Sequence, residues 1–580
     1  MSILPTLKDR FRPVLADLVG PDDAEKALDL IRPAQDARFG DYQANMAMPL
    51  GKQLKRPPRE VAAAIVERLR LDDLCEAPTV AGPGFINLRV RDGVLAGRLG
   101  SAAGDDRLGV EAVAPARSYV VDYSAPNVAK PMHVGHIRST VIGDALCRVL
   151  RFLGHRVVSD NHLGDWGTQF GMILYGYKHF LDAQAYADDP LNELARVYRH
   201  VRGLMDADEA IGKAVLAETA SLHAGDPENR RLWQEFMPVC LAEIERMYDR
   251  LGVRFDHTLG ESYYHDRLPG LVDELVHAGV ARRSEGALAV FLDGHKTPML
   301  IQKQDGAFLY ATTDLATIRY RMETFHPDAI LYVVDHRQSL HFEQLFAVAR
   351  KLGYGGVELA HVSFGTVLGD DGRPFRTREG DIVGLESLLD EAVRRAGDVV
   401  AANDEAKPGG PELSPGQRQR IAETVGIGAL KYADLAQNRT SDYVFSFDKM
   451  LAMNGNTGTY MQYAYARIRS IFRKGGVDPA SLPGSGAAIQ LDTPEERALG
   501  LQLLRMSEAL DQVVADYRPN QLTSYLFDLA GRFTTFYEKH PVLKAQPEAL
   551  RQSRLLLCDL TARTIKQGLA LLGIDIVEQM

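Results

Sequence analysis

Apolar positions along the chain change their period in blocks, and the blocks predict the architecture. Residues 119–122 form a continuous strand-like run, whereas Ile137, Val141, Ala145, Cys147 and Leu150 recur at helical spacing, so a strand, a turn and a helix through Leu150 are expected. A short strand at Arg156-Val-Val-Ser follows. Further on, Ala289-Val-Phe-Leu, 329–334 and 359–364 are apolar runs of strand length, with a helical stretch at 342–352 between the last two. Such runs alternating with helices predict a parallel sheet of the Rossmann kind. Between its halves, 193–251 is charged and helical and reads as an insertion that widens the crevice, near 185–255.

The two ends have different patterns. An amphipathic start through Leu30, a helix led by Pro57-Pro-Arg-Glu through Leu71 and a strand after Gly82-Pro-Gly predict a small α+β module over 1–112. The α/β domain then spans 113–400, and a stretch rich in Asn, Asp, Gly and Pro predicts a linker at 401–418. Residues 419–580 read as an all-α helical bundle. Thr493-Pro-Glu-Glu496 is a capping box with proline in the first turn, and Leu503, Leu510, Val514 and Tyr517 supply a packing stripe.

Composition narrows the class. A single core rarely grows beyond about 250–300 residues, so 580 residues imply several domains. A net charge of −10 excludes a uniformly basic coat but leaves room for a local basic face that meets RNA. Cys75, Cys147, Cys240 and Cys558 lack metal-ligand spacing and are expected as core residues, with no structural metal. Without an export leader or a long charge-free apolar segment, the chain is expected in the cytoplasm, away from membranes.

The densest chemistry lies at Lys130-Pro-Met-His133-Val-Gly135-His136-Ile-Arg138. If the Gly135 turn opens the helix, both imidazoles sit near an N-terminus whose dipole and free amides favour an anion. Gly135 lets adenine or ribose approach the backbone, and His133 and His136 can donate hydrogen bonds to phosphate oxygens as charge develops. The pattern therefore suits a triphosphate such as ATP and needs no general base.

This segment resembles the histidine-glycine-histidine signature of class I aminoacyl-tRNA synthetases, and the longer run from Ser124 to Ser139 is similar to that of arginyl-tRNA synthetases. The resemblance extends to Gly40-Asp-Tyr-Gln-Ala-Asn45, Leu309-Tyr-Ala-Thr-Thr-Asp314-Leu-Ala, Tyr460-Met-Gln-Tyr-Ala464 and the final methionine, and so spans the chain. It implies that the middle domain is catalytic, the first module binds tRNA and the bundle binds the anticodon. Its substrates would be L-arginine, ATP with Mg2+ and tRNA(Arg), and transfer would go to the terminal 2′-OH. We expect a monomer.

A site for arginine must bury a guanidinium, which favours a paired carboxylate. Asp314 is the first candidate, with Tyr310 four positions earlier to stack on the guanidinium or donate to Asp314 if Thr312 or Thr313 caps a helix; the resemblance assigns this pair to side-chain recognition. Asp122 is a candidate for the substrate ammonium or another side of the guanidinium, Asn127 for the carboxylate, and Gln338 to complete the pocket. His162 and Asp165 belong to a tight loop at the same rim.

The second class I signature is degenerate. Where a lysine-rich loop is usual, the chain reads Arg373-Pro-Phe-Arg376-Thr-Arg378, so Arg376 and Arg378 are the catalytic candidates, and the resemblance implies that Lys130 compensates for the missing lysine. For RNA, Phe39, Tyr42, Gln43 and Asn45 resemble the motif that reads the tRNA elbow. Tyr460, Tyr463 and Arg467, with Arg469, Arg473 and Met580, combine aromatics with a basic stripe for the anticodon. Two alternatives are a class I ligase for another amino acid and a catalytically idle tRNA-binding paralogue. A cysteine-specific ligase would favour thiolate metal ligands, and an idle paralogue would be expected to lose His133, His136 or the guanidinium-binding carboxylate, all of which this chain retains.

Overall fold

Five parallel strands form the central sheet, in the spatial order Glu358–His361, Ala329–Tyr332, Ser118–Asp122, Arg156–Leu163, His257–Gly260. The computed structural model describes residues 2–369, 371–375, 383–407, 409–483 and 486–580. Val120, Val121, Ile330 and Leu331 are all 0 % exposed, as expected for strands covered on both faces. Successive strands leave the first one on opposite sides, so its carboxyl end is the topological switch point where α/β sheets bind ligands. The helix Val134–Phe152 starts there.

The sheet departs from expectation at one edge. Ala287–Val290 does not join it but pairs antiparallel with Ala281–Ser284 and Met299–Gln302 in a separate three-stranded sheet. The fifth parallel strand is His257-Thr-Leu-Gly260, whose four mixed residues occupy an edge and carry no apolar run. The insertion is helical as expected, with Pro190–Ala207, Glu209–His223 and Pro227–Leu251 as its main helices.

The stretch 401–418 is not a spacer. Helix Leu385–Glu405 runs into it and helix Pro415–Leu435 starts inside it. Between them the buried Asp404 carboxylate accepts from the amides of Glu412 and Leu413 at 3.0 and 3.2 Å and pairs with Arg418 at 2.9 Å. The turn-rich composition marks a tight connection between two packed helices. Downstream, Thr493 and Glu496 form the expected capping box at the start of Pro494–Leu503.

The N-terminal module carries a four-stranded antiparallel sheet and docks on the helical bundle. Tyr42 is part of that joint and not of an RNA surface: it is 0 % exposed, its hydroxyl donates to Glu508 at 2.5 Å, and the Arg505 guanidinium lies 5.2 Å from its ring centre. Burial pushes the Glu508 carboxyl up to about 7. Beside it Asp41 accepts two bonds from Arg497, at 2.7 and 2.8 Å. The partners lie more than 450 positions away, which is why local reading of the motif missed them.

Candidate active site

The loop that leaves the central strand is held in an uncommon conformation. Ser124 and Ala125 have φ of 72° and 46°, a region that costs energy for residues with a side chain and persists only when the surroundings impose it. Here they do: the Ser124 amide donates to Ser139 Oγ at 2.8 Å, and its hydroxyl lies 2.8 Å from both Thr140 Oγ1 and Tyr248 Oη. The loop is thus clamped between the signature helix and the last insertion helix.

His133 is the N-cap of Val134–Phe152. Its Nδ1 accepts from the Gly135 amide at 3.1 Å, and His136 Nδ1 accepts from the His133 amide at 3.0 Å. The rings lie 3.9 Å apart at 32°. With Nδ1 accepting in both, the neutral rings carry their protons on Nε2, which leaves two N–H donors at the helix N-terminus. Burial, reinforced by Lys130, holds His133 below its usual range, and burial with the charge of its neighbours brings His136 down to about 3. A Cβ on Gly135 would stand 2.9 Å from His133 Cε1, so glycine is required for the pair to close.

The two arms that could meet a triphosphate are placed differently. The Lys130 ammonium lies 5.6 Å from the centre of the Tyr198 ring, on the insertion side, beside a cavity of about 400 Å³ that it helps to line. Arg373 sits exposed in a turn closed by its own carbonyl, which accepts from the Gly369 amide at 2.8 Å. Arg376 and Arg378 lie outside the described residues.

A cluster of carboxyl groups lies beyond the ends of the neighbouring parallel strands, on the same edge of the sheet. Asp314, on helix Tyr310–Phe325, accepts from His341 Nε2 at 2.6 Å. Burial and the charges of Asp165 and Asp314 push Glu261 up to about 8, and burial with Glu261 raises the Tyr310 phenol. Tyr310 is 62 % exposed, so its ring is open to a ligand; it does not bond Asp314, and Leu309, not a threonine, is the helix N-cap. Asp165 shapes this wall by accepting from the Ser262 amide and hydroxyl at 2.9 and 2.6 Å, a contact that the missing Cβ of Gly260 permits. Glu261 and His341 were not foreseen. A glutamate opening a four-residue helix has no periodic context to mark it.

Asp122 has a different role from the one expected. Its carboxylate takes the Arg321 guanidinium at 2.6 Å, with Asp160 on the same Arg321 nitrogen at 2.8 Å, and Arg321 is 0 % exposed. A protein guanidinium already holds Asp122, which therefore ties the helix carrying Asp314 to the central strands. Asn127 is half-buried and bridges to Gly164, and its Oδ1 accepts from the Ala129 amide at 3.2 Å. Gln338 is exposed at the start of the helix that carries His341. His162 packs its ring 5.5 Å from that of Tyr264.

On the RNA-facing candidates the structure separates two groups. Tyr463, Arg467 and Met580 line one groove with Tyr537, and the Arg467 guanidinium lies 5.0 Å from the Tyr537 ring centre. Tyr460 is half-buried against Phe527. The Arg469 guanidinium pairs with the Glu578 carboxylate of the C-terminal tail at 2.9 Å, while Arg473 donates to the Glu578 backbone carbonyl at 2.9 Å and still lines the groove. In the first module Phe39 is 42 % exposed and Asn45 Oδ1 is buried without a partner, while Gln43 donates to Asn87 at 2.9 Å.

Three family models match the chain in succession: the arginyl-tRNA synthetase N-terminal domain over 5–90, the class I (R) tRNA synthetase catalytic domain over 101–447, and the DALR anticodon-binding domain over 461–580. The chain belongs to the arginyl-tRNA synthetase family. It is 46 % identical to an arginine–tRNA ligase of Rhodopirellula baltica and 45 % identical to one of Synechococcus sp., in each case covering all of this chain and at least 99 % of the relative. Among solved structures it resembles the arginyl-tRNA synthetase of Plasmodium falciparum, with a TM-score of 0.85 and 28 % identity, covering 100 % of this chain and 99 % of that one. The Thermus thermophilus enzyme gives 0.82 and 25 % with full coverage of both. The catalytic model runs to 447, so both helices that flank the expected linker fall within it. Among the described residues no three His, Cys, Asp or Glu side chains are grouped to hold a metal ion, and no described helix is long and apolar enough to cross a membrane.

Proposed function

We infer that the chain activates L-arginine with ATP and transfers it to tRNA(Arg), and that the switch-point crevice performs both steps. The observation that carries this reading is that two neutral Nε2–H donors on a helix N-terminus and the carboxyl groups of Asp165, Glu261 and Asp314 belong to the same carboxyl edge of the parallel sheet. The guanidinium of arginine binds between Asp314 and Glu261. Glu261, raised to about 8 by burial and by the neighbouring carboxylates, gives up its proton when the guanidinium arrives. Tyr310 stacks on the guanidinium plane, and Asn127 and Gln338 orient the α-carboxylate toward the nucleotide.

The α-carboxylate oxygen then attacks the α-phosphorus in line, the bond to the β-phosphate bridging oxygen breaks, and pyrophosphate leaves with that electron pair. His133 and His136 donate to the phosphate oxygens on which charge develops, which needs alignment and charge stabilisation and no general base. Mg2+ would enter as part of the ATP substrate and offset charge on its phosphates. Lys130 turns from Tyr198 to the β- and γ-phosphates, with Arg376 and Arg378, which lie outside the described residues, as the second-signature candidates for the same charge. In the second step the terminal 2′-OH of the tRNA attacks the acyl carbon and AMP leaves. Phe39, Gln43 and Asn45 meet the tRNA elbow, and Tyr460, Tyr463, Arg467 and Met580 meet the anticodon.

Charging of tRNA(Arg) transcripts ending in 2′-deoxyadenosine or 3′-deoxyadenosine checks the transfer step. Arginylation is expected to persist on the 3′-deoxy end and to be lost on the 2′-deoxy end; the reverse pattern would assign the other hydroxyl.

A further inference from the structure

We propose that Arg138 is a positioning residue that sets the strand leading to the second signature against the helix of the histidine pair. It lies two residues beyond His136, on the opposite side of the same helix, and its guanidinium is 1 % exposed. Three separate segments converge on it. Its Nε pairs with Asp434 of helix Pro415–Leu435 at 3.0 Å, and one terminal nitrogen donates to the carbonyls of Gly365 and Ser441 at 2.7 and 3.2 Å. The rings of Phe364 and Tyr443 flank it, 5.7 and 5.1 Å from its centre, and the Tyr443 hydroxyl donates to Asp434 at 3.1 Å.

Gly365 is what makes this joint matter for chemistry. Two residues later the short strand Val367–Leu368 pairs with Tyr443–Val444 and leads into the turn at 369–375, ahead of Arg376 and Arg378. The backbones are close enough that a Cβ on Gly365 would stand 2.6 Å from Asp442 Oδ1 and from the Ser441 carbonyl carbon. One planar guanidinium therefore fixes the distance between the helix that presents His133 and His136 and the strand that carries the second loop. It does so from behind, without facing the crevice. A planar fork makes these bonds at fixed angles, which a lysine cannot reproduce.

The proposal rests on the assignment of adenylate formation to this crevice, and the two can fail separately. A buried charge left alone destabilises the fold, so the test removes both charges in Arg138→Met/Asp434→Asn and compares it with Arg554→Met/Glu496→Gln, another buried ion pair, 2.8 Å long, within the bundle. In ATP–pyrophosphate exchange with saturating tRNA, the first variant is expected to lose about 10- to 100-fold in kcat/KM for ATP, with KM for arginine and tRNA affinity within about twofold of the parent. The control is expected to keep its kinetics at comparable Tm. Tyr443→Phe, which removes only the hydroxyl donated to Asp434, is expected to raise KM for ATP in the same direction by less. Equal kinetics in the two double variants, or a rise in KM for arginine as large as that for ATP, would overturn the proposal. Normal exchange by His136→Ala would instead overturn the crevice assignment itself.

Discussion

His136→Ala is expected to slow arginyl-adenylate formation by about 10²- to 10³-fold, the loss that follows removal of one preorganised donor to a developing oxyanion. The ring is fixed by the His133 amide at Nδ1 and held neutral, so its Nε2–H points from the helix N-terminus as a permanent donor. Its substitution leaves the groove of Tyr463, Arg467 and Met580 untouched, so tRNA affinity should stay near that of the parent. Single-turnover adenylation with saturating tRNA reads the chemical step, and a near-normal rate would sink the assignment. His133→Ala should be milder in catalysis and costlier in stability, because that ring also caps the helix. In the same assay Lys130→Ala should lower the rate more than Arg373→Ala, whose backbone shapes an exposed turn. A silent Lys130→Ala would return the triphosphate to the loop alone.

Asp314→Asn should have the largest effect on amino-acid use. It removes a charge without removing size, and a desolvated guanidinium facing a neutral amide loses about 2–5 kcal/mol. By the conversion of about 1.4 kcal/mol per tenfold, that is roughly 30- to 4000-fold in kcat/KM for arginine. KM for ATP should change little, since Asp314 lies on the wall formed by Tyr310–Phe325 and not at the signature helix. Glu261→Gln should shift arginine use in the same direction by less, because its carboxyl is already largely protonated near neutral pH before arginine binds. Unchanged arginine selectivity in Asp314→Asn would name another carboxylate as the main partner.

What could be read from the chain beforehand was whatever is encoded by neighbours in sequence. The histidine pair, its glycine and the start of the helix it caps lie within four consecutive residues, so their geometry follows from local hydrogen bonding. Thr493 and Glu496 were legible for the same reason. The misreadings share the opposite cause. Asp122 looked like a ligand because its partner Arg321 lies 199 positions away, and Tyr42 looked like an RNA contact because Glu508 lies 466 positions away. Glu261 carried no signal, since its meaning comes from the carboxyl groups of Asp165 and Asp314 that the fold brings beside it. The edge strand His257–Gly260 is too short and too polar to register as a buried run, whereas Ala287–Val290 has the composition of a sheet strand and was assigned to the wrong sheet.

The most direct test of a crevice built for ATP and a guanidinium is exchange of labelled pyrophosphate into ATP, run with each amino acid in turn, with and without total tRNA. Exchange supported by arginine, lowered by Asp314→Asn and His136→Ala to the extents given above and absent with the other amino acids, is the predicted result. Exchange driven by another amino acid, or none with arginine when tRNA is present, would contradict it.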